Sequence, residues 1–205
     1  MEPMTDTLEI IANEVVACTK CPLYKDAKNP VPGEGNPKAE IIFIGEAPGE
    51  KEDISGSPFV GAAGKFLEEM LGMIGYKRDD VFIANVVKHR PPNNRDPEEN
   101  EIITCVPYLE RQIRIIDPLL IVTLGRHSLN HFMPGEKISA AHGQPKRIVT
   151  ADLNSYVALP LYHPAAALYR ASQKELHIKD FEKIPLILKK IKMETKNNHA
   201  DTANS

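Results

Sequence analysis

Cysteine is scarce in this sequence, which has only three among its 205 residues: Cys18, Cys21 and Cys105. An odd number of cysteines, with no secretory signal at the start of the chain, argues against a framework of disulfides. Long apolar runs are also absent, and none approaches the length needed to cross a bilayer. We therefore expect a cytoplasmic protein with reduced thiols and no membrane partner.

The sequence also has no excess of basic residues. Its 25 Lys and Arg residues stand against 28 Asp and Glu residues, for a formal net charge of -3 at pH 7. A nucleic-acid partner would therefore have to be bound by a local patch. Basic residues lie close together at Lys88, Arg90 and Arg95, and Arg170 lies in another candidate loop. Ordinary solvated surface charge explains the same residues equally well.

The close pair of cysteines predicts an inorganic site. Cys18 and Cys21 have the C-x-x-C spacing with which one turn of backbone presents two thiolates to a single metal or cluster. Cys105 is a third soft ligand, and His89, in the loop between the pair and Cys105, is the best candidate for a fourth. The alternative for Cys105 is a core thiol on the apolar face of its helix.

Apolar runs alternate with helical patterns along the chain. Runs rich in Val, Ile or Leu, without clean alternation, have the composition of strands that are covered on both faces. They span residues 39–45, 81–87, 119–124 and 157–161. Helical patterns span residues 7–17, 63–74, 98–116, 126–132 and 178–193. The alternation predicts an α/β fold, a parallel sheet between helices, with functional sites at the carboxyl ends of the strands.

The end of the chain has a different composition. From residue 194 onward the sequence is polar and has no apolar face. We expect a single domain over residues 1–193 and a disordered tail over residues 194–205.

The first apolar run ends in a tight loop, Gly45-Glu46-Ala-Pro-Gly49, and Glu52 follows shortly after it. Glycines in such a loop allow the backbone to approach a planar ligand closely, although an ordinary acidic turn is the alternative. Phe59 comes next, in a loop between a proline and glycines. Its ring is well placed to stack on a flat ligand, and an anchor in the core is the alternative.

Two further candidates lie at the ends of later runs. Asn85 offers a carboxamide donor and acceptor side by side, which match the imide edge of uracil and not the reversed pattern of cytosine; a turn former is the alternative. His163 can donate a hydrogen bond to a developing anion, unless backbone contacts occupy it. The other histidines in helical patterns or loops fit a structural role better, since none lies in a comparable loop: His127, His131, His142 and His177.

Taken together, these segments resemble the family 4 uracil-DNA glycosylases, the iron–sulfur type found in many prokaryotes. The resemblance covers residues 9–190 and rests on several motifs in the same order. They are CxxCPL from Cys18, VPGEG from Val31, GEAPG from Gly45, PFVG from Pro58, NVVK from Asn85, RPPNNR from Arg90, LG from Leu124 and HPA from His163. It implies a three-layer α/β/α sandwich with a four-stranded, mainly parallel sheet. It also implies hydrolysis of uracil from deoxyribose, which leaves an abasic site in DNA.

The resemblance also implies roles for residues in the loops. A uracil turned out of the DNA would stack on Phe59 beside Gly45, and Asn85 would bind its N3–O4 edge. A neutral His163 would donate to O2, where negative charge grows. Either Glu46 or Glu52 would orient the attacking water or stabilise the positive sugar.

The expected partner is uracil-containing DNA, single- or double-stranded. Leu168 would fill the gap that the displaced base leaves, and four basic side chains would contact phosphates. These are Lys88, Arg90, Arg95 and Arg170. A sliding clamp is a further candidate partner, and we expect a monomer associated with the nucleoid.

One position departs from the family pattern. The family holds a [4Fe–4S] cluster with four cysteines, and its third cysteine follows Val-Val-Lys, where this chain has His89. We therefore expect Cys18, Cys21, His89 and Cys105 to bind the cluster. The alternatives are a labile cluster on three thiolates, an altered residue, or zinc in a Cys3His arrangement.

His89, in place of the family's third cysteine, raises two other functional hypotheses. A relative that captures DNA covalently uses a histidine in a longer insertion in this region; the insertion is absent here, so we expect no capture. The competing hypothesis is an iron–sulfur protein that binds DNA or senses redox state without glycosylase activity. Joint occurrence of Glu46, Phe59, Asn85 and His163 favours the glycosylase, because a binding protein needs fewer such groups.

Overall fold

A computed structural model of the protein describes residues 6–150, 153–168 and 171–203. Within them, six strands form one sheet in the order β1-β3-β2-β4-β6-β5. The strands are β1 Glu34–Gly35, β2 Ile41–Gly45, β3 Phe82–Asn85, β4 Leu120–Leu124, β5 Lys146–Val149 and β6 Ser155–Leu161. The four inner strands, β3, β2, β4 and β6, are parallel neighbours. This arrangement confirms the predicted α/β fold with a mainly parallel sheet.

The number of strands differs from the expected four. The additional strands, β1 and β5, pair antiparallel with β3 and β6 at the two edges of the sheet. β1 is only two residues long, and three of the four residues of β5 are exposed. Neither edge strand therefore has the continuous apolar run that identifies a strand covered on both faces.

Helices cover both faces of the sheet, because its inner strands are apolar on both sides. They are α1 Leu8–Val16, α2 Glu50–Ser55, α3 Ala62–Met73, α4 Glu99–Ile116, α5 Arg126–Phe132, α6 Ile138–Ala141, α7 Ala171–Phe181 and α8 Ile184–Ala203. In β2, Ile42 and Ile44 pack in one core with α1 and α4. Ile41 and Phe43 pack in a second core with α3, α7 and α8. No helix in the described ranges has the length and apolar character needed to cross a bilayer.

The end of the chain differs from the expectation of one helix over residues 178–193, irregular at Pro185, and a disordered tail. Two helices are present, and Pro185 lies in the first turn of α8, where a missing backbone N–H is tolerated. α8 continues to Ala203, so the part of the tail that is described is helical. Glu194, at the start of this segment, forms a 2.7 Å ion pair with Arg147 of the edge strand β5. The domain limit at residue 193 stays a prediction.

Parallel pairing places the ends of the inner strands at one edge of the sheet. Gly45, Asn85, Leu124 and Leu161 are the last residues of β2, β3, β4 and β6. The loops that follow these residues carry most of the candidate functional side chains. This edge is where open α/β sheets bind their ligands.

Candidate active site

A cavity of about 400 Å³ opens at the carboxyl ends of the strands. Three of the residues singled out for base binding line it together, namely Phe59, Asn85 and His163, and Glu52 joins them. The other lining residues are Ala47, Gly49, Ala63, Asn94 and Ala165. A cavity of this size, mostly apolar with a few convergent polar groups, suits a small planar ligand.

Gly45 lies against two of the lining side chains. A Cβ atom at this position would lie 2.7 Å from Cζ of Phe59 and still closer to Oδ1 of Asn85. Only glycine allows both side chains to pack over the end of β2. Oδ1 of Asn85 is buried and has no hydrogen-bond partner within the described residues. A buried acceptor without a donor is costly, so a ligand N–H in the cavity would satisfy it.

Phe59 is held in a strained backbone conformation. Its φ angle is 51°, in the left-handed region that few residues other than glycine adopt. The Arg78 guanidinium donates to the carbonyls of Pro58 and Phe59, the latter at 3.1 Å. Glu52 Oε1 accepts the N–H of Val60 at 2.9 Å, so the loop is fixed on both sides of the ring. Phe59 is both buried and part of the cavity wall, which combines the two roles considered from the sequence.

The side chain of His163 is oriented by its own loop. Its Nδ1 atom accepts the backbone N–H of Ala165 at 3.2 Å, which leaves the proton of the neutral ring on Nε2. Burial lowers the pKa of His163 to about 4; the charge of His177 lowers it further, and Glu52 partly opposes the shift. The imidazole is therefore a neutral donor at pH 7. Its ring centroid lies 5.7 Å from that of Phe59.

The two candidate acids occupy different places. Glu52 lines the cavity, whereas the Glu46 carboxylate lies 3.7 Å from Nε2 of His127, outside the lining. Burial raises the pKa of Glu46; the charge of His127 lowers it and that of Asp96 raises it.

In the described residues, Glu46, Asp96 and His127 are the one group with ligand atoms close enough for a single metal ion. Arg126 already donates to both Asp96 and His127 and supplies positive charge there.

Lys88 is not available to DNA, which corrects the expectation that it contacts phosphates. Its side chain is buried, and Nζ donates to the Asn85 carbonyl at 3.0 Å and to Oε1 of Gln112 at 2.7 Å. Burial lowers the pKa of Lys88 to about 8, and the charge of Cys105 opposes the shift. Lys88 thus supports the backbone that carries the amide of Asn85.

The other expected DNA contacts differ in how free they are. Nε of Arg90 donates to Oδ1 of Asn94, a residue of the cavity lining, at 2.7 Å, and Nη1 lies 3.9 Å from the buried carboxylate of Asp53. Arg95 forms a two-bond pair with Glu101, at 2.7 and 2.8 Å, which occupies its guanidinium. Leu168 ends the short turn Pro164–Leu168 and is 44% exposed, as a wedge residue must be. Arg170 lies outside the described residues.

Three thiols gather on one face of the sheet. Cys105, in α4, is buried and accepts the backbone N–H of Lys88 at 3.2 Å. Cys18 and Cys21 are half-buried against the same core. Burial raises the pKa of Cys105 to about 11; Lys88 opposes the shift, and the charges of the other two thiols add to it. Thiolates in such a place need a positive ion to be stable, as a metal or cluster would provide.

The described donor set does not have the spacing of a single zinc site. Zinc bonds of about 2.3 Å would place tetrahedral thiolates about 3.8 Å apart. The described cysteines and His89 do not form a group with all ligand atoms within 4.8 Å. An iron–sulfur cluster gives each ligand its own iron and so accepts a wider spacing. His89 is buried beside the carboxylate of Asp53; burial lowers its pKa and Asp53 raises it, and its role as a ligand stays a prediction.

Several lining residues were not found from the sequence. Asn94 is the main one, and its φ of 54° follows a φ of 55° at Asn93. Asparagine tolerates this left-handed conformation, so the Asn-Asn pair after two prolines was the available signal. The small residues Ala47, Ala63 and Ala165 carry no comparable signal, since they matter only for the space that they leave.

Comparison with known proteins agrees with this geometry. Residues 32–185 match the family model described as the uracil DNA glycosylase superfamily. This match covers most of the chain, which therefore belongs to that superfamily.

Similar proteins narrow the assignment. A type-4 uracil-DNA glycosylase from Saccharolobus solfataricus is 53% identical over 187 residues, which cover 87% of this chain and 85% of the relative. One from Archaeoglobus fulgidus is 48% identical over 184 residues, 87% of this chain and 92% of the relative. One from Thermotoga maritima is 42% identical over 187 residues, 90% of this chain and 96% of the relative. Within the superfamily, the chain belongs to the type-4 uracil-DNA glycosylases.

Proposed function

We propose that this protein removes uracil from DNA by hydrolysing the bond between the base and deoxyribose, and leaves an abasic site. The observation that carries the proposal is the unsatisfied Oδ1 of Asn85 in the same cavity as the neutral donor His163. Names of the similar proteins support the same activity. They favour it over a protein that only binds DNA or senses redox state.

Uracil enters the cavity after it leaves the stack of bases, at a cost of a few kcal/mol that is least for mismatched or single-stranded DNA. Its N3–H donates to Oδ1 of Asn85, and the amide N–H₂ of Asn85 donates to O4. Cytosine has no proton on N3 at neutral pH, so the same acceptor would remain unsatisfied. The ring lies against Phe59, which is held in place before the base arrives.

Breakage of the C1′–N1 bond sends negative charge into the base and leaves positive charge on the sugar. Nε2–H of His163 donates to O2, where part of the negative charge collects. Because the imidazole is buried and already oriented by Ala165, no reorganisation is needed at the moment of reaction. One such donor contributes a factor of about 10²–10³ in rate.

Glu52 is the better candidate of the two acids for placing the attacking water. One carboxylate oxygen accepts the N–H groups of Val60 and Gly61 at 2.9 and 2.8 Å, which holds the side chain still. The other oxygen lies over Gly49, at the wall of the cavity. An oriented carboxylate there can hold water and stabilise the positive sugar. Glu46, turned toward His127, acts on the same charge from a greater distance.

Cys18, Cys21 and Cys105, with His89 as the fourth ligand, would hold a [4Fe–4S] cluster. When bound, the cluster would cross-link helix α4 to the loop after α1, and it would take no part in base removal. The residues of this chain then link that region to the cavity, since Lys88 contacts Cys105 through its N–H and Asn85 through its Nζ. The DNA phosphates would be contacted by Arg90 and by the exposed surface beside Leu168. A monomeric state, a sliding-clamp partner and association with the nucleoid stay predictions.

A single assay tests the proposed activity. An oligonucleotide with one uracil is incubated with metal-loaded protein at low salt, heated in alkali and separated on a gel, beside oligonucleotides with cytosine or thymine at the same position. We expect a strand break at uracil after alkali, and none before it. If the folded, metal-loaded protein leaves the uracil strand intact, the proposal is wrong.

A further inference from the structure

His177, in α7, is a buried imidazole that contacts backbone carbonyls on both sides. It is 2% exposed. Nδ1 lies 2.7 Å from the carbonyl oxygen of Gln173, one turn earlier in the same helix. Nε2 lies 3.1 Å from the Tyr162 oxygen and 3.2 Å from the His163 oxygen. Since a carbonyl oxygen only accepts hydrogen bonds, either nitrogen bonds its carbonyl only when it carries a proton: a proton on Nε2 serves two carbonyls, and one on Nδ1 serves that of Gln173.

The ring of His177 has little freedom to turn away. Phe66 of α3 packs against it edge to face, with 5.6 Å between centroids and an angle of 76° between the planes. The contacts with Phe66 and Gln173 orient the ring so that Nε2 faces the loop after β6. The donor therefore comes from a rigid helix, while its acceptors belong to the loop that carries the proposed catalytic imidazole.

The two accepting carbonyls flank the backbone of His163. β6 ends at Leu161, and the Leu161 carbonyl still accepts the Gly125 N–H at 2.8 Å. Beyond that residue the described sheet pairing stops. Nε2 of His177 contacts the next two carbonyls, and the His163 carbonyl also accepts the N–H of Ala166 at 2.9 Å. Their direction sets the peptide plane from which the His163 side chain leaves, and with it the contact to Ala165.

We propose that His177 is a positioning residue for His163: its Nε2–H fixes the Tyr162 and His163 carbonyls so that Nε2–H of His163 points into the cavity. The role of His163 in uracil release rests on the function proposed above. His177 itself touches neither the base nor the water. Its effect reaches the reaction through the tautomer and orientation of His163, which a displacement of about 1 Å is enough to spoil.

Two substitutions separate this role from simple packing. His177→Gln keeps an amide N–H₂ where Nε2 stands, and so retains the donor to the loop. His177→Asn is polar as well, but its shorter side chain reaches only the Gln173 side. The tautomer of His163 is read from ring nitrogen and proton shifts in nuclear magnetic resonance spectra of the DNA-free protein. Rates of uracil release and DNA dissociation constants are measured beside them, with His131→Asn as a control away from the cavity.

We expect wild type and His177→Gln to show the proton of His163 on Nε2, and His177→Asn to show a mixture of tautomers. We also expect His177→Asn to release uracil about tenfold or more slowly, with DNA binding within about threefold of wild type. Equal effects of the two substitutions, or a wild-type tautomer in His177→Asn, would overturn the proposal. If His177→Asn does not fold, the spectrum of the wild-type protein decides alone. A proton on Nδ1 of His163 in that spectrum would overturn the proposal. Failure of the wild type to release uracil overturns only the proposed function.

Discussion

The backbone N–H of Ala165 donates to Nδ1 of His163 at 3.2 Å, across a single proline. This contact decides which nitrogen of the neutral ring carries the proton, and so gives the cavity a donor. Burial adds a second effect, because it lowers the pKa of His163 to about 4 and keeps the ring neutral. Orientation and charge state of the imidazole thus have separate structural causes.

The low pKa of His163 makes a prediction for stability. The unfolded chain binds a proton at this residue below pH 6.5, whereas the folded protein does so only near pH 4. The unfolded state therefore binds more protons between these values, and the contribution of His163 to the free energy of unfolding is lost as the pH falls from 6.5 to about 4. Urea unfolding at several pH values, on wild type and His163→Gln, measures this loss. Parallel curves for the two proteins would contradict the shift.

Gly45 predicts a loss of function without a loss of fold. In Gly45→Ala, the new methyl group overlaps Asn85 Oδ1 and the Phe59 ring, so both must move and the cavity changes shape. We expect uracil release to fall about 100-fold, as for a misplaced reacting group. Gly72→Ala in α3 is the matched control, because its Cβ meets nothing within 4 Å. It should raise stability by about 0.5–1 kcal/mol and leave activity unchanged. Similar activity in the two variants would refute the close packing at Gly45.

Lys88 and Arg90 should behave differently although they are neighbours in the chain. Lys88→Ala leaves the Asn85 carbonyl and Gln112 Oε1 without their donor, at a cost of about 1–3 kcal/mol in the free energy of unfolding. The dependence of DNA binding on salt should stay as in wild type. Arg90→Ala should reduce the slope of log K against log salt by about one, with a smaller loss of stability than Lys88→Ala because the Asp53 contact is long, at 3.9 Å. Fluorescence anisotropy at several salt concentrations measures the slope, and a smaller slope in Lys88→Ala would place its ammonium on DNA.

His89 predicts how metal is held. Protein purified without oxygen should contain about four iron and four acid-labile sulfide per chain. His89→Ala should lose iron to a chelator faster than wild type, while His89→Cys should retain it, because thiolate replaces imidazole. His131→Ala serves as the histidine control and should match wild type. Zinc without sulfide would favour the Cys3His alternative, and equal iron retention in His89→Ala would remove His89 from the ligand set.

Much of the sheet could be predicted from the sequence, because inner strands need apolar residues on both faces. Runs around Ile41–Gly45 and Leu120–Leu124 carry that signal without ambiguity. The edge strand Glu34–Gly35 carries none, since its pairing depends on what lies beside it in space. The strand ends also indicated Asn85 and His163, which line one cavity in the structure, because parallel strands finish at a common edge.

Side-chain direction was harder to predict than position. Glu46 and Glu52 both follow β2, but only Glu52 lines the cavity, because its carboxylate accepts two backbone N–H groups of the Phe59 loop. Lys88 follows a strand end, as a DNA-contacting lysine would, yet its ammonium finds carbonyl acceptors inside the protein. His177 was expected to have a structural role, because it does not lie in a loop comparable to that of His163. Its contact with the His163 loop arises only from the packing of α7.

The most direct test of this account is the rate of uracil release by His163→Ala, measured in single turnover beside the affinity for uracil-containing DNA. We predict a rate lower by a factor of about 10²–10³, since one oriented donor to the departing base is lost. The dissociation constant should change by less than about threefold, because His163 lies in the cavity and away from the phosphates. A rate close to that of wild type, in a variant that folds and binds DNA normally, would contradict the central role of this histidine.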